Sequence, residues 1–291
     1  EFLDKPVTTV ADDLEFWYQA GYDYIMQRPN YEFPGIPLNA ATGTPLRMEY
    51  QQSERASKTL SEESDRHMIT NEEEFEAFPW IDPATVDFSN MDFLEQNMPG
   101  GMKIISGVGG IFTRSWTIMG FERFCMAVID KDPLAEAIMK TIAATQKKVL
   151  ERILNYKQVA AVWYGDDLAY AESTMLSPDF FREFLFPYMK ELVTMTHERG
   201  IPFLFHSDGN ISPLMDDLIH DVGIDAYHPW EPKAMDIAEG KKKWGKELAL
   251  VGNIDLSYTL PMGTEEEVDA EVKERIRTCG YGGGYGVGSS N

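Results

Sequence analysis

The stretch Phe203-Leu204-Phe205-His206-Ser207-Asp208-Gly209-Asn210-Ile211 decides the fold. An apolar run from Ile201 to Phe205 ends in a histidine, a carboxylate two residues on, and a glycine-led turn. A buried parallel strand delivers polar side chains in this way to the carboxyl end of its sheet, where α/β proteins keep their sites. His206 and Asp208 stand two apart, so on extended backbone they share a face. An imidazole and a carboxylate on one face can bind a metal, relay a proton or grip a polar substrate. The plainer assignment makes Asp208 a helix cap and His206 a satisfied residue of a barrel mouth.

Outward from this stretch the chain alternates strand and helix. The patterns predict helices over Ala11–Ala20, Asn71–Phe78, Met91–Asn97, Trp116–Ile129, Pro133–Tyr156, Pro178–Arg199, Pro213–Asp221, Ala234–Trp244 and Glu265–Thr278. Between them they predict strands over Tyr22–Met26, Lys103–Val108, Val159–Tyr164, Ile201–Phe205, Ile224–His228, Leu248–Val251 and Gly284–Val287. Strand–helix pairs that repeat from about residue 159 and close on a strand favour parallel strands with helical crossovers. The expected fold is an α/β TIM-type (β/α)8 barrel with an N-terminal excursion: one domain over 1–291. The Pro-, Gly-, Ser- and Glu-rich stretch 30–65 is its excursion or lid. A doubly wound nucleotide fold fits less well. No Gly-rich fingerprint opens a helix after a strand, and Gly280 to Gly288 follows a helix with none after it.

In a barrel all strand carboxyl ends line one mouth. Here those ends carry Asp166 and Asp167, then His206 and Asp208, then His228 with Glu231, then Asn253 with Asp255. Carboxylates crowded there repel one another, so a cation joins them or one of them holds a proton near neutral pH. Asp166, His206, Asp208, His228 and Glu231 are the expected catalytic residues. Tyr164, Asp167, Tyr227, Trp230, Asn253 and Asp255 are the expected substrate contacts, with the aromatics able to clamp a flat or methyl-bearing molecule. Taken singly, each aromatic is explained by core packing. His67, His197 and His220 read as structural or solvent-facing. Cys125 reads as core, and Cys279 as core or helix-end packing.

Charge narrows the partners. The chain holds 48 acidic and 26 basic residues, a net −22 with a pI near 4.5. Such a surface repels a nucleic-acid backbone and gains nothing from an anionic membrane. The one basic run, Lys241-Lys242-Lys243, reads as a solvated helix end. No apolar run reaches the ~20 residues that span a bilayer. Two cysteines give no disulfide framework, so a reducing cytoplasm is the expected compartment. The chain opens without Met and stops just after a strand-like run, so both ends are expected to be trimmed.

Five segments carry a family resemblance. His206-Ser207-Asp208-Gly209-Asn210-Ile211 resembles a His-x-Cys-Gly-Asn-Ile strand end, and Gly165-Asp166-Asp167-Leu168 resembles a Gly-Asp-Asp-Leu turn. Leu176-Ser177-Pro178 with Phe181-Arg182-Glu183-Phe184 and Pro187-Tyr188 is similar to an Ile-Ser-Pro…Phe-Arg-Glu-Phe…Pro-Tyr helix. Gly252-Asn253-Ile254-Asp255 with Leu260-Pro261-Met262-Gly263-Thr264 and Glu266-Glu267-Val268, and then Gly282-Gly283-Gly284-Tyr285, resemble the remaining two motifs. Together they resemble the uroporphyrinogen decarboxylase-like superfamily from about residue 103 onward, more specifically than they resemble either of its chemistries.

The resemblance implies a TIM-type barrel and one of two reactions. True uroporphyrinogen decarboxylases take a polycarboxylate porphyrinogen without a cofactor and carry an Arg-Gln-Ala-Gly-Arg stretch near the N-terminus. No such stretch is found here, and a −22 chain suits that substrate badly. The other branch holds corrinoid-dependent methyltransferases, some of which use zinc bound by His-x-Cys and a distant Cys to activate a thiol. Here His206 matches, Asp208 replaces the first Cys, and Cys279 falls too early to be the second. The soft thiolate site is therefore expected to be absent, leaving His206 and Asp208 for a harder zinc site or for none. The expected activity is methyl transfer between a small methoxy or methylamine compound and a corrinoid on a partner protein. A cofactor-free decarboxylase and a non-catalytic ligand-binding barrel are the alternatives.

Overall fold

The computed structural model describes residues 3–31, 33 and 68–290. Seven strands form one curled parallel sheet in sequential order: β1 Tyr24–Met26, β2 Lys103–Gly109, β3 Val159–Gly165, β4 Phe203–His206, β5 Ala226–His228, β6 Ala249–Val251 and β7 Tyr285–Gly286. Every neighbouring pair is parallel, and helices form the crossovers. This is the TIM-type α/β architecture, with seven named strands among the described residues. Apart from Asn30, Tyr31 and Phe33, the stretch read as an excursion lies outside the described residues.

Local chemistry sets the helix starts. The Asp132 carboxylate accepts the Leu134 amide at 2.9 Å, and Pro133 occupies the first turn, where its missing N–H costs nothing. Ser177 caps Phe180, and Thr264 with Glu267 closes a reciprocal box at the start of Glu265–Cys279.

Three expected helices are interrupted, the one over Pro213–Asp221 running as Met215–Asp217 and then a π turn at Leu218–Val222. Trp116–Ile129 is not one helix but parts of two, Ile111–Met119 and Phe121–Asp130, because Gly120 takes φ +85° between them. The long helix expected over Pro178–Arg199 widens into a π turn at Phe181–Leu185 before continuing as Phe186–His197. Pro187 has no N–H to continue the ladder, and the Phe186 amide reaches back to Phe181 instead.

Sheet register decides which side chains reach the mouth. Along the ends of β3, β4 and β5, Gly165, His206 and His228 lie in one row, and Tyr164, Phe205 and Tyr227 lie in the row below. Successive strand residues face opposite sides. The lower row therefore packs outward under the helices, with all three rings fully buried, and the upper row faces the barrel interior. Trp163, two before Gly165, is on the interior side and lies 5.7 Å from the His206 ring centre and 5.1 Å from that of His228.

Close approach of β2 to β3 needs glycine. A Cβ at Gly107 would sit 1.7 Å from the Trp163 carbonyl oxygen, and one at Gly109 would sit 2.4 Å from that of Gly165. Backbone cannot yield as a flexible side chain can. Gly107→Ala is expected to cost about 3 kcal/mol or more, at the upper end of overpacking penalties. Gly100→Ala, with open space around it, should leave the urea midpoint within error. Equal midpoints for the two variants would contradict this account of the β2–β3 contact.

Candidate metal and catalytic site at the barrel mouth

The aspartates that follow β3 part company. Asp166 continues the outward row, and Asp167 the inward one. Asp166 Oδ2 accepts the Phe112 amide and the Tyr164 hydroxyl, each at 2.8 Å. Its Oδ1 accepts the Thr113 amide at 2.8 Å and the Thr113 hydroxyl at 2.7 Å. The carboxyl group thus sits on the N-terminus of helix Ile111–Met119, where orphan amides and the helix dipole favour an anion. Burial pushes its pKa up to about 6, against the donors that favour its charge.

Asp167 turns inward to meet β4. Its Oδ1 accepts the Asp208 amide at 3.0 Å and lies 3.9 Å from His206 Nε2. Asp208 Oδ1 lies 3.8 Å from the same nitrogen. One donor atom from each of Asp167, His206 and Asp208 falls within 4.8 Å of the other two. Gly165 borders the ring of His206, and a Cβ there would stand in ordinary contact, 3.8 Å from His206 Cδ2.

The other face of His206 meets His228, with the two Nδ1 atoms 2.7 Å apart. Burial lowers the pKa of His206, opposed by Asp167. Burial, reinforced by His206, lowers that of His228 to about 3, while a backbone hydrogen bond at Ser289 acts upward. Both rings are therefore neutral imidazoles at neutral pH. Glu231 flanks the group, its Oε2 accepting the Gly209 amide at 3.2 Å.

Of the residues expected at the site, Asp167, His206, Asp208 and His228 come together, with Glu231 beside them. Several others go elsewhere. Asp166 is committed to the helix N-terminus and Tyr164 to Asp166. Tyr227 donates its hydroxyl to the Ser207 carbonyl at 2.7 Å. Trp230 is fully buried against Tyr227 and Trp244, its ring occupying the space that a Cβ on Gly240 would need. The Asp255 carboxylate caps its own turn through the amides of Ser257 and Tyr258. Asn253 is buried, and its amide donates to the Trp230 carbonyl at 2.8 Å. These six side chains organise the mouth from behind.

Sequence reasoning passed over Trp163 and undervalued Asp167. The signal for both was present: Trp163, Gly165 and Asp167 stand two apart and share a face once the strand is extended. Cys279 is fully buried where its helix turns into β7, the opposite end of the strand from the mouth. Cys125 is half-buried rather than core. His197 and His220 are exposed, as expected of them, and His67 lies outside the described residues.

Two ligand atoms on one ion, each about 2.0–2.2 Å from it, stand no more than about 4 Å apart. Separations of 3.8 and 3.9 Å from His206 Nε2 to the two carboxylates therefore suit a shared divalent cation after a small closure. One imidazole and two carboxylates form a harder set than thiolates and suit zinc or a neighbouring divalent metal.

The family profile named Uroporphyrinogen decarboxylase (URO-D) matches residues 39–290. The chain belongs to the uroporphyrinogen decarboxylase family. Relatives in this family divide between two activities. Uroporphyrinogen decarboxylase 2, chloroplastic, of Arabidopsis thaliana is 28% identical over 156 residues, covering 49% of this chain and 38% of that one. Methylcobamide:CoM methyltransferase MtaA of Methanosarcina barkeri is 27% identical over 174 residues, covering 58% and 48%. The chain thus spans less than half the length of either relative. Among solved structures, a methyltransferase from Methanosarcina mazei shares the fold with TM-score 0.70 at 17% identity, over 97% of this chain and 80% of that one. No helix among the described residues is long and apolar enough to cross a membrane.

Asp166 makes a pH prediction. Its folded pKa of about 6 stands above the usual 3.8, so the folded chain binds this proton more tightly than the unfolded chain. Its contribution to stability is complete below the unfolded pKa and is lost as pH rises through about 6. In urea titrations between about pH 4 and pH 7, wild type minus Asp166→Asn should slope downward with pH and flatten above the folded value. A flat difference throughout would contradict the placement of this carboxyl group.

Proposed function

We propose that this barrel is a methyltransferase, moving a methyl group between a small methoxy or methylamine compound and a corrinoid carried by a partner protein. One observation carries the reading: Asp167, His206 and Asp208 point donor atoms at a common place in the mouth. The methyltransferase pattern that this chain resembles has its His-x-Cys metal ligands at the same strand end. Similarity to the Methanosarcina barkeri methyltransferase supports it, as does the −22 charge, which disfavours a polycarboxylate substrate.

His206 through Nε2, with one oxygen each from Asp167 and Asp208, would hold zinc. When bound, the metal would act as a Lewis acid on the oxygen or nitrogen that bears the methyl group. The protein's own residues prepare that place. Two carboxylates balance the charge of a divalent cation, so the loaded site is close to neutral in an acidic protein. The Asp208 amide on Asp167 Oδ1 fixes the two acidic loops to each other. The Gly209 amide on Glu231 holds a third carboxyl group beside them, the one left to exchange a proton with a demethylated oxygen or nitrogen. Trp163 lies against both imidazoles.

A cofactor-free decarboxylase is the second reading, favoured by the 28% identity to the Arabidopsis enzyme. The two separate in one assay series. Purified protein with zinc, cob(I)alamin and a panel of methoxy and methylamine compounds should yield methylcobalamin, followed by its absorbance. His206→Ala should lower the rate at least about 100-fold. Release of CO2 from a carboxylated substrate without corrinoid, and no methylcobalamin from any donor, would overturn methyl transfer in favour of decarboxylation.

A further inference from the structure

The inward face of the sheet has a second row, one step deeper than Gly165, His206 and His228. Strand register aligns Gly107, Trp163, Leu204, Ala226 and Ala249 along it. Trp163, Leu204 and Ala226 stand two residues before Gly165, His206 and His228, so both rows face the interior. No member of the deeper row carries a charge. Trp163 is its one ring and its one hydrogen-bonding side chain.

Adjacent strands lie ~4.8 Å apart, so β3 and β5 are separated by ~9.5 Å. The Trp163 ring centre nonetheless stands 5.1 Å from that of His228 on β5, and 5.7 Å from that of His206 on β4. The indole therefore leans from β3 across β4, and it remains partly exposed.

Its Nε1 lies on the Gly165 side, 3.8 Å from where a Cβ of that residue would stand. Gly165 continues the same face to Asp167. This nitrogen makes no hydrogen bond to another described residue. Nε1 of Trp116 and of Trp230 is buried without a partner, whereas that of Trp163 is open to solvent. An indole N–H can only donate.

An uncharged row with one ring and one donor suits some substrates and not others. An ether oxygen accepts a hydrogen bond, but a protonated or quaternary methylamine has no lone pair to offer. An ammonium group set against this row would lose hydration and meet no charged partner in it. A flat apolar body has little hydration to lose and gains offset stacking on the indole.

We infer that Trp163 is the specificity-determining residue of the mouth: it stacks on the aryl ring of a methoxyarene and donates its Nε1–H to the ether oxygen. The substrate is then an aryl methyl ether rather than a methylamine. The role in turnover rests on the proposed methyl transfer, whereas the contact between indole and ligand is measured without turnover.

The test labels the chain with 15N-tryptophan and follows its six indole N–H signals. The signal missing from Trp163→Phe belongs to Trp163. Three probes are titrated: methoxybenzene, ethylbenzene (which replaces the ether oxygen by a methylene) and tetramethylammonium. Methoxybenzene should move the Trp163 signal. It should bind Trp163→Phe, which keeps a ring and loses the N–H, about 3–10-fold more weakly than wild type. Ethylbenzene should lose no more than about 2-fold in the same variant. Trp163→Leu, which loses ring and donor, should bind methoxybenzene at least about 10-fold more weakly. Circular dichroism checks that each variant folds, and the Phe variant decides the matter if the Leu variant does not. A Trp163 signal unmoved by methoxybenzene, or moved as far by tetramethylammonium, would overturn the inference. So would equal methoxybenzene affinity in wild type and Trp163→Phe. Methoxybenzene binding that depends on Trp163, together with no methylcobalamin from any methyl donor, would uphold the contact and overturn methyl transfer alone.

Discussion

Everything at this mouth depends on strand alternation at the end of β3. Adjacent residues of an extended chain face opposite ways, so Asp166 and Asp167 cannot serve the same site. One turns outward and anchors the N-terminus of helix Ile111–Met119 through four hydrogen bonds. The other turns inward and meets His206 and Asp208. Gly107 and Gly109 let β2 come close against this strand, since a Cβ on either would strike the backbone of Trp163 or Gly165. The outward aspartate is thus structural support for the strand end from which the inward one projects.

Much of this could be read from the sequence, and the reasons are specific. Ile201 to Phe205 ending at His206 announced a parallel strand because a buried strand is apolar throughout and turns polar only at its carboxyl end. Strand after strand ending in Asp, His or Asn announced a common mouth. His206 and Asp208 were paired by their spacing alone. The face assignments were harder. Tyr164 and Tyr227 look like mouth residues by proximity in sequence, yet their register with Phe205 sends them under the helices. Asp255 and Trp230 lie past the strand ends, where local turn chemistry, not alternation, sets direction. The break at Gly120 and the π turn before Pro187 needed backbone geometry that composition does not reveal.

The family and the site describe different levels of the protein. The fold and the profile match place the chain among uroporphyrinogen decarboxylases and their relatives, a group in which the same barrel hosts unlike reactions. Specialisation lies in which atoms the strand ends deliver. In this chain they deliver one imidazole, two carboxylates facing it, and a second imidazole behind it. In the proposed reading, Asp208 stands where the resembled methyltransferase pattern has a Cys, so that a hard ligand would take the place of a soft one. The net charge of −22 disfavours a polyanionic substrate.

The most direct measurement is anomalous diffraction at the zinc edge from crystals of the chain grown or soaked with zinc. The account predicts one strong peak at the mouth, about 2.0–2.2 Å from His206 Nε2 and from an oxygen of Asp167 and of Asp208. A map without a peak between these three residues, or with zinc bound only at surface carboxylates, would contradict it.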